Sequence, residues 1–215
     1  MVDAYLPALS DFKFSAEEEA AIAAAMLEES PWDKVPAVHK EAMKSAKQRI
    51  LSYHMARHKQ QCCYCRAILQ GGGYFMIDRE HILPKSLYKP FTFAPWNLSV
   101  SCKRCNMQFK KDCVAFVIDA QGAGPADTGA NYRLVHPNFD VWDHHLLRTT
   151  VQTGGDVLVK FTVVPGSAKG SYHHEYFALK ELEIDTFNRA QGLEAADGSA
   201  ADAIRDLARL HGQAN

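Results

Sequence analysis

Two cysteine pairs of the form C-x2-C constrain this chain more than any other feature of its sequence. Cys62 and Cys65 form the first pair, Cys102 and Cys105 form the second, and 36 residues separate them. The two-residue spacing lets one short turn present both sulfurs to a tetrahedral zinc ion, and four sulfurs complete the coordination sphere. Because a closed sphere leaves no position for water, the spacing predicts a structural zinc site rather than a catalytic one.

Length and composition favour metal binding over disulfides for these cysteines. The 215 residues can bury a core without cross-links, and the chain does not begin with a basic segment followed by an apolar stretch. No apolar run reaches the roughly 18 residues that span a bilayer. We therefore expect a cytoplasmic protein with no membrane contact. In that reducing compartment, paired cysteines more often bind metal than form disulfides.

Charge is distributed unevenly along the chain, although its net charge is only −1. Residues 1–33 carry a net charge of −7, residues 34–111 carry +12 and residues 112–215 carry −6. This division predicts an acidic N-terminal helical arm, a basic core and a C-terminal accessory region. A basic segment between acidic ends is typical of a polyanion-binding core, and solvated helix faces are the alternative interpretation.

Local patterns predict helices near both ends of the chain and short strands between them. Ser15 and Glu18 form a capping box, which predicts the start of a helix. The helix is predicted to run to about Glu29, because Pro31 prevents it from continuing. Residues 147–151 and 157–164 are predicted to form a hairpin around two glycines. Four further helices are predicted, at residues 36–59, 103–112, 175–191 and 199–211. A loop is predicted at residues 121–130.

The 36-residue insert and the residue after the second cysteine pair contain a recognisable motif. It consists of Asp78-Arg79-Glu80-His81-Ile82-Leu83-Pro84-Lys85, then Trp96-Asn97-Leu98, and finally Asn106. With the four cysteines, this order resembles the HNH endonucleases, the ββα-metal nuclease fold, in the subclass where two C-x2-C pairs bracket the motif. The resemblance covers about residues 62–112, in a His-Asn-Asn version. It implies an α+β fold: a ββα-metal HNH core with a four-cysteine structural zinc, flanked by N-terminal helices and a C-terminal hairpin plus helices.

The motif residues suit the hydrolysis of a phosphodiester, which needs a base to activate water and a cation near the leaving 3′ oxygen. His81 has an ordinary pKa near 6.5, suited to accepting that proton at neutral pH. Glu80 and Asn106 offer hard oxygen ligands for a catalytic Mg²⁺ or Mn²⁺ ion. The resemblance implies that Asn97 hydrogen-bonds loop backbone and keeps His81 oriented.

Some assignments within the motif remain open. Asp78 competes with Glu80 as the metal ligand, because alternation on a strand places these two carboxylates on one face and His81 on the other. The resemblance favours Glu80. The family usually has a basic residue three positions after the final His or Asn, where this chain has Phe109. Phosphate contacts are predicted for four basic residues: Arg79, Lys85, Lys103 and Arg104.

Other polar residues are weaker candidates. His54 and His58 stand four residues apart on the predicted basic helix and could bind a metal, but we expect them to be solvated or to contact nucleic acid with Arg57. Residues 132–145 resemble a segment that follows the core in some HNH nucleases. Packing is the favoured interpretation of that segment.

Three functions are compatible with these observations. The first is a metal-dependent endonuclease acting on DNA, with RNA as an alternative substrate. The second is a zinc-ribbon module that binds nucleic acid without catalysis, which would need the cysteines but neither Glu80, His81 nor Asn106. The third is a nuclease effector of an anti-phage defence system, held inactive until a protein partner such as an ATPase releases it, a hypothesis that the acidic ends motivate.

Overall fold

A computed structural model describes residue 3 and residues 5–118 and 127–186. Besides short 3-10 helices, it contains α1 (Ala16–Met26), α2 (Lys40–Arg57), α3 (Gly73–Met76), a π-helix (Arg104–Lys110) and α4 (Ala168–Tyr176). Its strands are β1 (Ile77–His81), β2 (Leu98–Cys102), β3 (Leu146–Thr153), β4 (Asp156–Val163) and β5 (Ile184–Asp185). The predicted α+β class is confirmed in this coarse sense, as a mixed structure with two small sheets.

The first helix begins as the capping box predicts. The Ser15 side chain accepts a hydrogen bond from the Glu18 amide, and the Glu18 carboxylate accepts one from the Ser15 amide. The helix ends at Met26, three residues before the predicted end. Its alanine face packs on α2, where Ala21 and Ala25 lie in a small core with Met43. The acidic N-terminal arm is thereby attached to the basic core.

Polar side chains at the end of α2 and just after it are buried, although the sequence suggested that they would be solvated. His54, Arg57 and His58 are each only 1% exposed, so the expectation for these residues is wrong. The start of the chain folds over this face, and the Arg57 guanidinium donates to the Asp3 carboxylate at 2.7 Å. It also donates to the side-chain oxygen of Asn138 at 3.2 Å. Partners distant in sequence therefore make the burial of Arg57 possible.

Strands β1 and β2 form an antiparallel pair that continues directly into a helix. The register runs from Ile77 opposite Cys102 to His81 opposite Leu98. A loop of residues 82–97 joins the strands, and the helix predicted at 103–112 is the π-helix Arg104–Lys110. Strand, loop, strand and helix thus follow one another between residues 77 and 110.

The C-terminal hairpin is confirmed, with a first strand three residues longer than predicted and a second strand of the predicted length, shifted by one residue. Strands β3 and β4 pair from Leu146 opposite Val163 to Thr153 opposite Asp156. The two glycines form the turn, and Gly154 has a φ of 59°, a backbone conformation that glycine adopts without strain.

The α-helix predicted at 175–191 is correct only at residues 175 and 176 and is wrong over the rest of its described part. Helix α4 ends at Tyr176, and Ala178 then adopts a left-handed conformation with a φ of 44°. The chain continues through a 3-10 turn into β5, which pairs with β4. The remainder of that prediction, the helix at 199–211 and residues 121–126 of the predicted loop lie outside the described residues.

The main hydrophobic core combines side chains from the basic segment and from the C-terminal region. Val100 of β2 belongs to the same cluster as Leu146, Phe161 and Phe177. The boundary predicted at residue 111 therefore falls between two stretches that share one core, and the three-part division stays a prediction. In the described part of the chain, no helix has the length and apolar composition needed to cross a membrane.

We expect the buried carboxylate of Glu18 to make stability depend on pH. Burial alone would raise its pKa, but hydrogen bonds from Ser15 and Ser45 and the charge of Arg49 lower it below the ordinary value. A lowered folded-state pKa stabilises the fold above the unfolded pKa, and this contribution is lost as pH falls through the folded value. Glu18→Gln should therefore lower the free energy of unfolding by about 1–2 kcal/mol at pH 7, and by less near pH 4.

Urea unfolding of the variant and the unmodified chain at both pH values measures this effect. Glu17→Gln is the matched control, because Glu17 lies in the same helical turn and is exposed. Equal losses for the two variants at pH 7 would contradict the prediction.

Candidate functional site

The first cysteine pair lies on a tight turn that is fastened to β2. The Cys62 carbonyl accepts a hydrogen bond from the Arg66 amide at 2.9 Å, and the Cys62 amide donates one to the Ala67 carbonyl at 2.8 Å. Arg66 has a φ of 57°, which reverses the chain after the second cysteine of the pair. The Cys63 amide donates to the Val100 carbonyl at 2.9 Å. Strand β2 ends at Cys102, the first cysteine of the second pair, so this bond brings the two cysteine pairs together.

The four predicted zinc ligands form one cluster. The sulfurs of Cys62, Cys65, Cys102 and Cys105 all lie within 4.8 Å of one another, and those of Cys65 and Cys102 are 3.8 Å apart. Zinc–sulfur bonds of about 2.3 Å in a tetrahedron place sulfurs about 3.8 Å apart, whereas a disulfide requires about 2.05 Å. The prediction is confirmed as a four-cysteine centre that can hold a metal ion such as zinc.

Glu80 is buried on the face of β1 that meets the π-helix. Its Oε1 accepts a hydrogen bond from the Tyr64 hydroxyl at 3.0 Å and lies 3.0 Å from the Lys110 ammonium. Its Oε2 is buried and has no hydrogen-bond partner among the described residues. Burial raises the pKa of Glu80 above its ordinary value, against the lowering effects of Lys110 and Tyr64. The second oxygen is therefore an acceptor that the described part of the chain leaves unused.

Asp78 lies on the same face of β1 and is the carboxylate that contacts Asn106. The Asn106 amide donates to Asp78 Oδ2 at 3.1 Å, and the Lys103 ammonium pairs with Oδ1. The two carboxylates that compete as metal ligands thus contact different side chains of the π-helix region. The structure joins Asn106 to Asp78, and Glu80 to Lys110.

His81 follows Glu80 on β1, and its side chain contacts the 82–97 loop on the other side of the strand. Its Nε2 lies 3.0 Å from the Thr92 carbonyl oxygen, which can only accept, so Nε2 carries the proton and Nδ1 holds the lone pair. Burial, together with the charge of Lys85, lowers the pKa of His81 to about 3, which the Thr92 carbonyl opposes only in part. The ring is therefore neutral at physiological pH, and it is a weaker base than the ordinary pKa near 6.5 predicts, because burial disfavours its charged form.

Asn97 is fully buried and fastens the loop between the two strands. Its side-chain oxygen accepts from the Leu83 amide at 2.7 Å, and its NH₂ group donates to the carbonyls of Leu83 and Phe91 at 3.1 and 3.0 Å. Phe91 precedes Thr92, the residue whose carbonyl accepts from His81. The side chain bonds loop backbone, and its influence on the orientation of His81 stays a prediction.

The end of the acidic arm covers His81. The Trp32 ring lies edge-on to the imidazole, with ring centroids 4.4 Å apart, and His81 is 8% exposed. The adjacent Asp33 carboxylate pairs with the Lys85 ammonium at 2.5 Å. Sequence reasoning missed both arm residues, because their only signal is a tryptophan and an acid at the end of the acidic segment, far before the motif.

The four residues predicted to hold phosphates all contact protein groups. Lys85 pairs with Asp33, and Lys103 pairs with Asp78. The Arg79 Nε donates to a backbone carbonyl of α2 at 2.7 Å. Arg104 donates to the carbonyls of residues 177 and 178, at the end of α4, and so performs a structural function. Nucleic-acid contact by these four residues stays a prediction.

We expect Cys102→Ser to release the metal and destabilise the fold. Losing one thiolate breaks the tetrahedral site, and structural zinc contributes directly to folding, so the free energy of unfolding should fall by about 3 kcal/mol or more. Elemental analysis and thermal unfolding measure the two effects. Cys113→Ser is the matched control, because Cys113 is exposed and lies outside the cluster. Zinc content equal to that of the unmodified chain in Cys102→Ser would contradict the assignment.

Three comparisons with known proteins yield no match. No family model matches the chain, and neither a search of curated proteins nor one of solved structures finds a similar protein. The interpretation of the site therefore depends on its own groups. These are a buried four-cysteine centre, a neutral histidine, two carboxylates on one face of a strand and an asparagine on the helix that follows.

Proposed function

We propose that this chain is a metal-dependent HNH endonuclease that hydrolyses phosphodiester bonds in DNA. The observation that carries the proposal is the position of His81, which follows Glu80 at the end of β1 and is held by the Thr92 carbonyl through Nε2. Its Nδ1 lone pair can accept a proton from a water molecule as the water oxygen attacks phosphorus. The 3′ oxygen then departs and takes a proton from solvent, which leaves a 5′ phosphate and a 3′ hydroxyl.

The local architecture supports this proposal. Strand β1 carries the candidate base at its end, the 82–97 loop supplies the carbonyl that fixes it, and the helix after β2 carries Asn106. The four-cysteine centre joins the turn before β1 to the end of β2. This order of elements is the one that the resemblance to HNH endonucleases implies.

The polar residues beside the π-helix offer oxygens for a divalent ion. Glu80 Oε2 is the buried acceptor without a partner among the described residues, and Asn106 has a side-chain oxygen. In the proposal, Glu80 and Asn106 bind Mg²⁺ or Mn²⁺, with Asp78 as the alternative carboxylate because Asn106 contacts it directly. A bound divalent ion would neutralise the charge that develops on the departing 3′ oxygen.

We expect His81→Ala to reduce cleavage of plasmid DNA in Mg²⁺ or Mn²⁺ by at least about 100-fold, because the variant loses the group that takes the proton. Zinc content and DNA affinity should stay near those of the unmodified chain, whereas the melting temperature should fall, because His81 is buried and held by the Thr92 carbonyl. A gel assay with an EDTA control measures cleavage. Equal rates for the variant and the unmodified chain would leave the zinc-ribbon binding module as the better interpretation.

Three further variants distinguish the metal ligands within the same assay. Glu80→Gln and Asn106→Ala should each lose activity, with partial rescue of Asn106→Ala at high Mn²⁺. Asp78→Asn is the discriminating control. If it is inactive while Glu80→Gln cleaves normally, Asp78 is the ligand and the nuclease proposal still holds.

A regulated nuclease is the second candidate, favoured by the contacts of the acidic arm. Three arm carboxylates pair with basic-core residues: Asp3 with Arg57, Glu18 with Arg49 and Asp33 with Lys85. The Asp33 carboxylate thus engages Lys85, which is one of the predicted phosphate contacts. The neighbouring Trp32 covers His81. A partner protein, such as the ATPase of an anti-phage system, would activate the nuclease by moving this segment away.

We expect Trp32→Ala to raise the pKa of His81 from about 3 toward 6.5, because burial is the largest cause of its lowering. The cleavage rate should rise at the same time. An NMR titration of the imidazole and the plasmid assay measure the two effects. Leu27→Ala is the matched control, because Leu27 lies in the same arm and is 87% exposed. An unchanged His81 pKa would show that the arm does not control the base.

A further inference from the structure

A polar cavity lies apart from the groups assigned to catalysis. It has a volume of about 470 Å³ and lies between the end of α2, the first cysteine turn and the start of β3. Four of its lining residues are basic and one is acidic; they are Arg57, Lys59, Arg66, Arg148 and Asp143. The cavity therefore has an excess of positive charge, and none of the candidate catalytic or phosphate-contact residues lines it.

Two of these guanidinium groups have no carboxylate partner among the described residues. Arg57 pairs with Asp3, but Arg66 donates only to neutral groups, the Tyr5 hydroxyl at 2.9 Å and the His58 ring at 3.3 Å. Arg66 is nevertheless buried, with only 8% of its surface exposed. Arg148 donates to the Arg66 carbonyl at 3.4 Å. Arg148 is partly buried, whereas Arg66 is a buried cation whose described hydrogen-bond partners are all neutral, a costly arrangement that indicates a missing anion.

Hydrogen bonding points to the same missing partner. Arg148 Nε and Trp142 Nε1 are both buried N–H donors without an acceptor among the described residues, and both residues line the cavity. A zinc ion with four thiolates would carry a net charge of −2 near Arg66 and balance part of the positive charge. Among the described residues, however, no cysteine sulfur lies within hydrogen-bond distance of either N–H group. The absent ligand is therefore an anion with several acceptor oxygens.

We propose that this cavity binds the phosphate monoester of a ligand of nucleotide size. A phosphate offers a charge near −2 and three acceptor oxygens, which match guanidinium donors well. The volume falls within the roughly 300–1,000 Å³ of small-molecule sites. Because Arg66 is almost entirely buried, a terminal phosphate can reach it more readily than the internal phosphates of a duplex. The ligand is a free nucleotide or a 5′-phosphorylated nucleic-acid end, and the site does not depend on the proposed nuclease activity.

Isothermal titration of the zinc-loaded chain tests the site with four probes. The probes are inorganic phosphate, adenosine monophosphate, a 5′-phosphorylated oligonucleotide and the same oligonucleotide with a 5′ hydroxyl. We expect the phosphomonoesters to bind and the 5′-hydroxyl oligonucleotide to bind at least about tenfold more weakly than its phosphorylated form. The ratio of affinities for adenosine monophosphate and the phosphorylated oligonucleotide identifies the source of the phosphate.

Two cavity variants should shift the affinity in opposite directions. Arg148→Gln should weaken phosphate binding at least about fivefold, and Asp143→Asn should tighten it, because it removes the one negative charge of the lining. Lys44→Gln is the matched control, since Lys44 is an exposed cation of α2 outside the cavity. Zinc content and melting temperature identify any variant that is misfolded.

Two outcomes would overturn the proposal. One is the absence of measurable binding of any phosphomonoester at about 10 mM, on the order of the weakest specific sites. The other is an Asp143→Asn affinity equal to that of the unmodified chain. Asp143 is exposed, so its replacement tests the site even if Arg148→Gln fails to fold.

Discussion

The four-cysteine centre is the constraint on which the rest of the structure depends. It joins two segments that are 36 residues apart, and the main core packs around its buried sulfurs. Helix α4 contacts this centre from outside: the His173 ring lies 2.8 Å from the Tyr64 carbonyl inside the first cysteine turn. Arg104, inside the second pair, holds the carbonyl of Phe177. The C-terminal region is therefore attached to the cysteine turns at two points, which explains why it shares a core with them.

Strand β1 separates two kinds of polar chemistry on its opposite faces. Asp78 and Glu80 face the π-helix, where ammonium and amide groups contact them, and His81 faces a loop carbonyl and an aromatic ring. Consecutive residues of a strand point to opposite sides, so a base and its acidic neighbour can be adjacent in sequence and experience different environments. Burial acts on Glu80 and His81 in the same sense, since it favours the uncharged form of each.

The charge pattern of the chain is expressed as contacts between its parts. The acidic arm pairs with the basic segment through Asp3, Glu18 and Asp33, so part of the positive charge that suggests nucleic-acid binding is already neutralised inside the molecule. The cavity near the first cysteine turn is different, because Arg66 and Arg148 have no such carboxylate among the described residues. Positive charge that the fold leaves unpaired is a better indicator of a ligand site than the net charge of a segment.

The sequence by itself determined the features that depend on local spacing. The capping box at Ser15, the glycine turn of the hairpin and each of the two C-x2-C cysteine pairs follow from residues a few positions apart, whose geometry is set by the backbone. Only the tertiary structure decided which distant groups meet. The burial of Arg57, the cover that Trp32 places over His81 and the pairing of Asn106 with Asp78 all join residues 28 or more positions apart. Such contacts arise from the packing of whole elements, which no local pattern encodes.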